Sequence, residues 1–209
     1  MKAVLASNNK HKLIEIKTML KGKFDDIYTL NDIGIDIEIE ENGTTFEENS
    51  YIKASTIAKL TGMPAIGDDS GICVEALDGE PNIYSARYAG EPCNDDNNNK
   101  KLLDKLHALE QKTGKKNRKA YFQSVVVLCY PDMIYLCGTG KTYGQIIDEY
   151  RGTNGFGYDP IFLSDELDKT FGEATMEEKN TISHRSRALK DLLEKIGTIA
   201  PHLPQFKLK

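Results

Sequence analysis

The order of apolar and polar positions predicts alternating strands and helices in the first half of the chain. Residues 2–6 form a short apolar run, and residues 10–21 follow with apolar positions at helical spacing behind a cap at Asn8 or Asn9. The pattern then predicts, in chain order, strands at residues 26–30 and 35–39, a helix from Thr44/Thr45 to about Leu60, strands at residues 65–67 and 72–76, and a helix at residues 94–111. Threonine followed three residues later by glutamate is a capping-box pattern, which places the start of the second helix.

The second half of the chain has a different pattern. Strands are predicted at residues 120–130, 133–141 and 143–147, with turns at Pro131-Asp132 and at Gly144. A glycine-rich loop is predicted at residues 151–160, and a helical end at residues 175–196 that breaks near residues 181–183. Strand–helix units followed by antiparallel strands predict the α/β class, with a mixed sheet and flanking helices in a single domain covering residues 1–209.

Composition is typical of a folded protein. The chain has 209 residues, of which 39% are hydrophobic and 28% charged. Its apolar runs are far shorter than the ~18 residues that cross a bilayer, and its N-terminus does not have the pattern of a signal peptide. The four cysteines contain no CxxC pair, so neither a zinc knuckle nor a redox dithiol is predicted. We therefore expect a cytoplasmic protein with no membrane partner.

The net charge disfavours a nucleic-acid partner but is compatible with one small anionic ligand held by a few local lysines. The formal net charge is −5, whereas nucleic-acid-binding domains usually carry a basic face. Ser7-Asn8-Asn9-Lys10-His11-Lys12 follows the first strand and begins the first helix, where polar side chains and backbone N–H groups bind anions readily. Lys12 lies one turn into the helix and can reach a phosphate held there. The alternative is a capped helix with exposed lysines.

Two acidic segments are candidates for binding a cation. Glu40-Glu41 and Asp68-Asp69-Ser70-Gly71 are both predicted to lie in loops after strands. Adjacent carboxylates raise each other's pKa unless a cation or solvent attends them. A small number of oxygen ligands suits Mg²⁺, which keeps several waters and shares a substrate's phosphates. Gly67 and Gly71, on either side of the aspartates, suggest a sharp turn, and the alternative is a solvated acidic turn.

A third candidate segment combines glycines and aromatic residues. Residues 152–160 read GTNGFGYDP, and a flat ligand stacking on Phe156 would explain an aromatic ring between two glycines. Lys179 and Ser183-His184-Arg185 offer donors for a phosphate or for a carbonyl oxygen on a ring, and the alternative is a helix capped by Ser183. The GTGKT segment at residues 138–142 is not a P-loop, because Tyr135 stands where that motif needs glycine.

Six segments together resemble the inosine triphosphate pyrophosphatase family, whose members act on dITP, ITP and XTP. They occur in the family's order: SNNKHK at 7–12, EENGTTFEEN at 40–49, GDDSG at 67–71, IYSARYAG at 83–90, GTNGFGYDPIF at 152–162 and EEKNTISHR at 177–185. The first segment departs from the family's threonine-glycine-asparagine, but Ser7 keeps the hydroxyl and Asn8 tolerates a left-handed backbone. Residues 201–209 extend beyond the resemblance and are assigned no role.

The resemblance implies a fold and a reaction. The family's fold is an elongated α/β structure with a long mixed sheet and two lobes around a substrate cleft, and its members are usually homodimers. Their reaction is hydrolysis between the α- and β-phosphates with Mg²⁺ as the cofactor, giving a nucleoside monophosphate and pyrophosphate. Such an enzyme clears deaminated purines from the nucleotide pool.

The resemblance also implies residue roles. Asp69 would take the proton of the attacking water and bind the metal together with Glu40 or Glu41. The residues that would bind substrate are Ser7, Asn8, Asn9, Lys10, His11, Lys12, Lys53, Ser70, Phe156, Gly157, Tyr158, Asp159, Lys179, His184 and Arg185. Arg185 can only donate hydrogen bonds, so we expect it to favour a six-oxo purine over adenine.

Two alternative functions share parts of this pattern. A pyrophosphatase for modified pyrimidine triphosphates would use the same phosphate chemistry with a different base pocket, and Phe156 with Ser183-His184-Arg185 argues against it. A nucleotide-sensing module would bind without hydrolysis, and the presence of both Glu41 and Asp69 argues against that. The preference among ITP, dITP and XTP stays open.

Overall fold

The computed structural model describes residues 1–200 and Leu208, and the predicted α/β class with a mixed sheet is confirmed. Its strands are β1 (Lys2–Leu5), β2 (Asp26–Thr29), β3 (Ala65–Val74), β4 (Lys119–Cys129), β5 (Tyr135–Ile146) and β6 (Phe162–Ser164). Its α-helices are α1 (Lys10–Met19), α2 (Phe46–Thr61), α3 (Asp95–Thr113), α4 (Met176–Ile182) and α5 (His184–Ile199). Within this described part, the strands form one six-stranded sheet in the order β2-β1-β3-β4-β5-β6. β1 is parallel to β2 and β3, and β5 is antiparallel to β6.

The chain forms two compact units, each assembled from separate segments. Unit 1 comprises Met1–Asp69, Ser124–Gly140 and the chain from His184 onwards, and unit 2 comprises Ser70–Gln123 and Lys141–Ser183. Strands β3, β4 and β5 therefore each contribute residues to both units. The tail at residues 201–209 lies outside the described residues except for Leu208.

Unit 1 is built on apolar side chains from three strands and two helices. Leu5 of β1, Ile16 of α1, Val126 of β4 and Leu192 of α5 are all at most 2% exposed and belong to one core cluster. Burying such a side chain contributes about 1.5–3 kcal/mol each. The helical spacing that predicted α1 and α5 thus reflects packing against the strands.

Unit 2 has a core of its own that contains three phenylalanine rings. Phe122, Phe162 and Phe171 lie with ring centroids 4.7–5.8 Å apart and pack with Leu102 of α3 and Ile72 of β3. Aromatic pairs at such separations contribute about 0.5–1.5 kcal/mol beyond their buried area. β6, which carries Phe162, was not predicted because it is only three residues long.

Side-chain caps begin helices α1 and α2 where the sequence predicts them. Asn9, the second of the two candidate caps, accepts hydrogen bonds from the backbone N–H groups of His11 and Lys12 at the start of α1. Thr45 caps α2 by accepting from the N–H of Glu48. Such a cap stabilises a helix by about 1 kcal/mol.

Three predicted strand boundaries are wrong. Residues 35–39 form no strand, although they alternate apolar and acidic side chains. Strand β3 runs without interruption from Ala65 to Val74, so the acidic segment predicted to turn is extended. Gly144, predicted to mark a turn, lies inside β5, where a Cβ atom would be 2.2 Å from the carbonyl oxygen of Leu163.

Two further glycines of β5 allow helix α5 to approach the sheet. A Cβ atom at Gly138 would lie 2.1 Å from the carbonyl oxygen of Ala188, and one at Gly140 would lie 2.2 Å from that of His184. Real Cβ atoms do not come this close to backbone atoms. The GTGKT segment is therefore part of a strand and opens no helix of its own, as predicted, and the structure adds that this strand packs against α5.

Candidate active site

The two aspartates of β3 point in opposite directions. Successive side chains of a strand alternate between its two faces. Asp68 accordingly meets Lys12 of α1 and Arg185 of α5, whereas Asp69 meets Asn49 and Lys53 of α2. The sequence-based interpretation of this pair as a sharp acidic turn is therefore wrong, since the extended backbone separates the two carboxylates.

Asp68 is the centre of a buried network in unit 1. Its carboxylate lies 2.9 Å from Nζ of Lys12, 3.2 Å from Nη2 of Arg185 and 2.6 Å from Oγ of Ser124. The guanidinium of Arg185 also donates to Glu15. Arg185 is 0% exposed, so its charge is compensated by these carboxylates inside the protein.

The network fixes the charges of its members. Burial would by itself raise the pKa of Asp68, but the charges of Arg185 and Lys12 and their hydrogen bonds hold that pKa well below its ordinary value. Burial would likewise lower the pKa of Arg185, but Asp68 and Glu15 raise it. Asp68 is therefore a permanent carboxylate that holds the Lys12 ammonium in place.

Asp69 has a different set of partners. Its carboxylate accepts a hydrogen bond of 3.1 Å from Nδ2 of Asn49 and lies 3.7 Å from Nζ of Lys53. The same ammonium is 2.8 Å from Oε2 of Glu41, so two carboxylates converge on one lysine. Burial raises the pKa of Asp69 and the charge of Glu41 adds to this, while Lys53 and Lys12 oppose it. The net charge of Glu41, Lys53 and Asp69 is −1, which favours a further cation.

The side chain of Asn49 forms hydrogen bonds both with Asp69 and with the segment that contains Glu41. While its Nδ2 donates to Asp69, its Oδ1 accepts a hydrogen bond of 2.9 Å from the backbone N–H of Gly43. A Cβ atom at Gly43 would lie 2.7 Å from that oxygen, which explains the glycine. Asn49 is 1% exposed, and one buried amide therefore sets the position of both acidic segments.

The segment before α1 uses part of its hydrogen-bonding capacity internally. Oγ of Ser7 accepts from the N–H of Asn9, and Oδ1 of Asn9 accepts from the N–H groups of His11 and Lys12. The alternative prediction, that this segment caps a helix, is thus correct for its backbone N–H groups. Because Asn8, Asn9, Lys10 and His11 are exposed, their side chains remain accessible to a ligand.

Unit 2 holds the second group of predicted residues. Nζ of Lys179 lies 2.7 Å from Oδ2 of Asp159 and 5.2 Å from the centroid of the Phe156 ring. The same carboxylate oxygen accepts a hydrogen bond of 3.0 Å from the N–H of Phe156. A Cβ atom at Gly155 would lie 1.9 Å from it. Gly155 therefore makes room for the loop's own hydrogen bonds, which the sequence-based argument did not foresee.

The other predicted residues lie on these same elements. Glu40 is exposed, while its neighbour Glu41 is the one that reaches Lys53. Ser70 follows Asp69 on β3, and His184, 5% exposed, begins α5. Contact of Arg185 with a base stays a prediction, and its guanidinium donates to Asp68 and Glu15.

The donor set fits a magnesium ion that shares its ligands with a phosphate. Within residues 1–200 and 208, no group of three histidine, cysteine or acidic side chains is arranged to hold a metal alone. Mg²⁺ is usually held by one or two carboxylates, waters and the phosphates of a substrate. Glu41 and Asp69, drawn together around Lys53, supply such a pair.

Sequence reasoning missed three buried polar residues of unit 1. Glu15, Asn49 and Ser124 contact Arg185, Asp69 and Asp68 respectively, and each is at most 7% exposed. The only signal in the sequence is a polar residue beside apolar positions of a strand or helix. Such a signal identifies burial but not the partner.

Carboxylates paired with Lys12, in the first turn of a helix, and with Lys53 form a site suited to a phosphorylated ligand and a metal ion. The model of the Ham1 family matches residues 3–195. The chain belongs to the Ham1 family, and the resemblance predicted from the six segments is confirmed. In the part of the chain that the structure describes, no helix is long and apolar enough to cross a membrane.

Similar proteins support this assignment over nearly the whole chain. The dITP/XTP pyrophosphatase of Bacillus licheniformis is 49% identical over 90% of this chain and 94% of its own length. That of Clostridium perfringens is 47% identical over 95% of this chain and 98% of its own. Among solved structures, the Ham1 proteins of Staphylococcus aureus and Coxiella burnetii are 40% and 38% identical, with TM-scores of 0.82 and 0.84, each covering 95% of this chain and 99% of theirs.

Proposed function

We propose that this protein is a hydrolase that converts dITP, XTP and ITP to the nucleoside monophosphate and pyrophosphate. The observation that carries the proposal is the arrangement of Glu41, Lys53 and Asp69 in unit 1. Lys12, of the same unit, forms an ion pair with Asp68, the residue before Asp69. The relatives named dITP/XTP pyrophosphatase match this chain over at least 90% of its length and support the choice of substrate. Removal of deaminated purine nucleotides is the role that follows from this activity.

The lysines of unit 1 are proposed to bind the triphosphate. A triphosphate carries about four negative charges, which must be neutralised before water can approach phosphorus. Lys12 is held by Asp68 and Lys53 by Glu41, so both ammonium groups are fixed before the substrate arrives. Side chains of Ser7 and Asn9, at the start of α1, complete this phosphate-binding segment.

Asp69 is proposed to accept the proton of the attacking water. General-base assistance of this kind contributes about 10²–10⁴-fold to a rate. Asn49 donates to one oxygen of the carboxylate at 3.1 Å, and the other oxygen lies 3.7 Å from Nζ of Lys53, so both contacts orient the carboxylate. Asp68 is unsuited to this role because Lys12, Ser124 and Arg185 occupy both of its oxygens.

Magnesium is the proposed cofactor, with Glu41 and Asp69 as its protein ligands. When bound, it would neutralise charge on the phosphate oxygens. We expect activity to disappear with EDTA and to return with Mg²⁺. Glu41→Gln should raise the Mg²⁺ concentration needed for half-maximal activity, whereas Glu40→Gln, at the exposed neighbouring position, should not. Equal effects of the two variants would contradict the assignment of Glu41.

Unit 2 is proposed to bind the base through the loop at residues 152–159. Phe156 offers a ring for stacking, which does not distinguish one purine from another. Hydrogen bonds at the edge of the base must therefore select the six-oxo purines, and Lys179 with its partner Asp159 lies beside that ring. His184 and Arg185 are further candidates for this contact.

Product identification tests the proposed reaction. With dITP and Mg²⁺, the wild-type protein should release dIMP and pyrophosphate. Asp69→Asn should remain folded and lose about 10²–10⁴-fold in kcat, whereas Asp36→Asn, an exposed aspartate of the same unit, should be unaffected. Release of dIDP and orthophosphate would contradict the reaction, and binding without turnover would favour a nucleotide sensor.

Quaternary state and compartment complete the proposal. We propose a homodimer, as the family resemblance implies, and a cytoplasmic location, which the four free cysteines support. Size-exclusion chromatography with light scattering tests the first. A mass near that of one chain would contradict it.

A further inference from the structure

The start of helix α3 is built from residues that form helices poorly. After the cap Asn94, the helix begins Asp95-Asp96-Asn97-Asn98-Asn99. Aspartate and asparagine suit a cap or a first turn but are unfavourable further inside a helix, by about 0.6 kcal/mol each relative to alanine. Asn98 and Asn99 nevertheless lie inside the helix, and each is only 1% exposed. Departures from local preference of this kind concentrate at functional sites.

Two of these side chains hold one glycine of the loop that contains Phe156. Oδ2 of Asp95 accepts a hydrogen bond of 2.7 Å from the N–H of Gly157, and Nδ2 of Asn99 donates one of 3.0 Å to the carbonyl oxygen of Gly157. Asp95 and Asn99 are four residues apart and thus on one face of α3. Both backbone polar groups of Gly157 are therefore fixed by the same helix.

Gly157 has a left-handed backbone and open space beside its Cα atom. Its φ is +63°, and nothing lies within 4 Å of the place where a Cβ atom would be. The residue is therefore a glycine because of its left-handed backbone, with no crowding around it. On either side, Phe156 donates its N–H to Asp159, and the hydroxyl of Tyr158 donates to the carbonyl of Ser85.

Part of the Asn99 side chain has no hydrogen-bond partner in the part of the chain that the structure describes. Its Oδ1 is buried and has no hydrogen-bond partner among the described residues. A buried acceptor without a partner costs about 1–3 kcal/mol. The hydrogen bond from Nδ2 of Asn99 to the carbonyl oxygen of Gly157 is a contact that an apolar side chain at this position could not make.

We propose that Asp95 and Asn99 are positioning residues that fix the backbone at Gly157 and thereby place the Phe156 ring for binding the purine base. The inference rests on the proposed function of the loop. It assigns to α3 a part in substrate recognition, acting through the loop and without touching the substrate. The phosphate-binding residues of unit 1 are not involved.

Asp95→Ala is the decisive variant, and Asp96→Ala is its matched control. Both aspartates are exposed and lie in the first turn of α3, so both variants lose the same charge near the helix N-terminus. The hydrogen bond to Gly157 is made by Asp95. We expect Asp95→Ala to raise KM for dITP about tenfold, equivalent to about 1.4 kcal/mol, with kcat changed less than KM. Asp96→Ala should keep the wild-type KM, and Asp95→Asn, which keeps an acceptor oxygen, should restore most of the affinity.

A competitive inhibitor that lacks a purine base distinguishes a positioning role of Asp95 from general damage to the substrate site. Inorganic pyrophosphate should inhibit wild type and Asp95→Ala with the same inhibition constant, because it binds only the phosphate-binding residues. Equal KM values for Asp95→Ala and Asp96→Ala, or a parallel loss of pyrophosphate binding, would overturn the inference. Phe156→Ala tests the proposed function separately. If Phe156→Ala leaves KM for dITP unchanged, the loop does not bind the base; if it raises KM while Asp95→Ala does not, only the positioning role is wrong.

Discussion

Replacing Arg185 by methionine removes the cation that joins Asp68 to Glu15 inside unit 1. Methionine has a similar length and fills the space with apolar atoms. Breaking a buried ion pair by removing one partner costs about 3–5 kcal/mol, because the remaining charge stays buried. For a chain of this size each kcal/mol lowers Tm by about 2–4 °C, so we expect a fall of about 6–20 °C.

Thermal unfolding followed by circular dichroism measures this effect. Lys190→Met is the control, because Lys190 is exposed on the same helix, and its Tm should stay within about 2 °C of wild type, as expected for a surface substitution. Adding Glu15→Gln to Arg185→Met should recover part of the lost stability, since it removes one of the two buried carboxylate charges. An unchanged Tm for Arg185→Met, together with a loss of activity on ITP greater than that on ATP, would refute this reasoning. That result would favour direct contact of Arg185 with the base.

The remaining predictions concern the phosphate site, the general base and the packing of α5. Lys12→Ala should raise the inhibition constant of pyrophosphate at least tenfold, equivalent to about 1.4 kcal/mol, and should lower Tm less than Arg185→Met does, because Asp68 keeps its partners Arg185 and Ser124; a large fall in Tm at unchanged affinity would make Lys12 structural. Asn49→Ala should lower kcat more than it changes KM, because it releases the Asp69 carboxylate; steady-state kinetics with dITP checks this. Gly140→Ala should destabilise the fold in urea unfolding because its Cβ atom would meet a backbone carbonyl of α5 at 2.2 Å. Gly197 lies within α5, and among the described residues a Cβ atom there would have nothing within 4 Å. Gly197→Ala should therefore stabilise the fold by up to about 1 kcal/mol.

The sequence predicted those parts of the fold that depend on local patterns. Helices α1 and α2 begin at the predicted caps Asn9 and Thr45, because capping is a contact between residues three apart or fewer. Gly144 misled the strand prediction because its small size serves a neighbouring strand and makes no turn. Distant packing is not visible in a window of a few residues.

The candidate site was predicted by residue type but not by partner. Asp68 and Asp69 were identified together, yet one belongs to a buried ion-pair network and the other faces Lys53. The sequence contains the alternation that separates them, but using it required knowing that β3 continues through the acidic segment. Arg185 illustrates the same limit, because its partners Asp68 and Glu15 are more than 100 residues away in the chain.

The ratio of kcat/KM for dITP to that for dATP tests the central claim most directly. Initial rates of pyrophosphate release would be measured with Mg²⁺ for dITP, XTP, dATP and a modified pyrimidine triphosphate. One unpaired buried donor costs about 1–3 kcal/mol, so dITP and XTP should exceed dATP by at least about tenfold. The pyrimidine should be no better than dATP. Equal kcat/KM for dITP and dATP, or a preference for the pyrimidine, would contradict the proposed function.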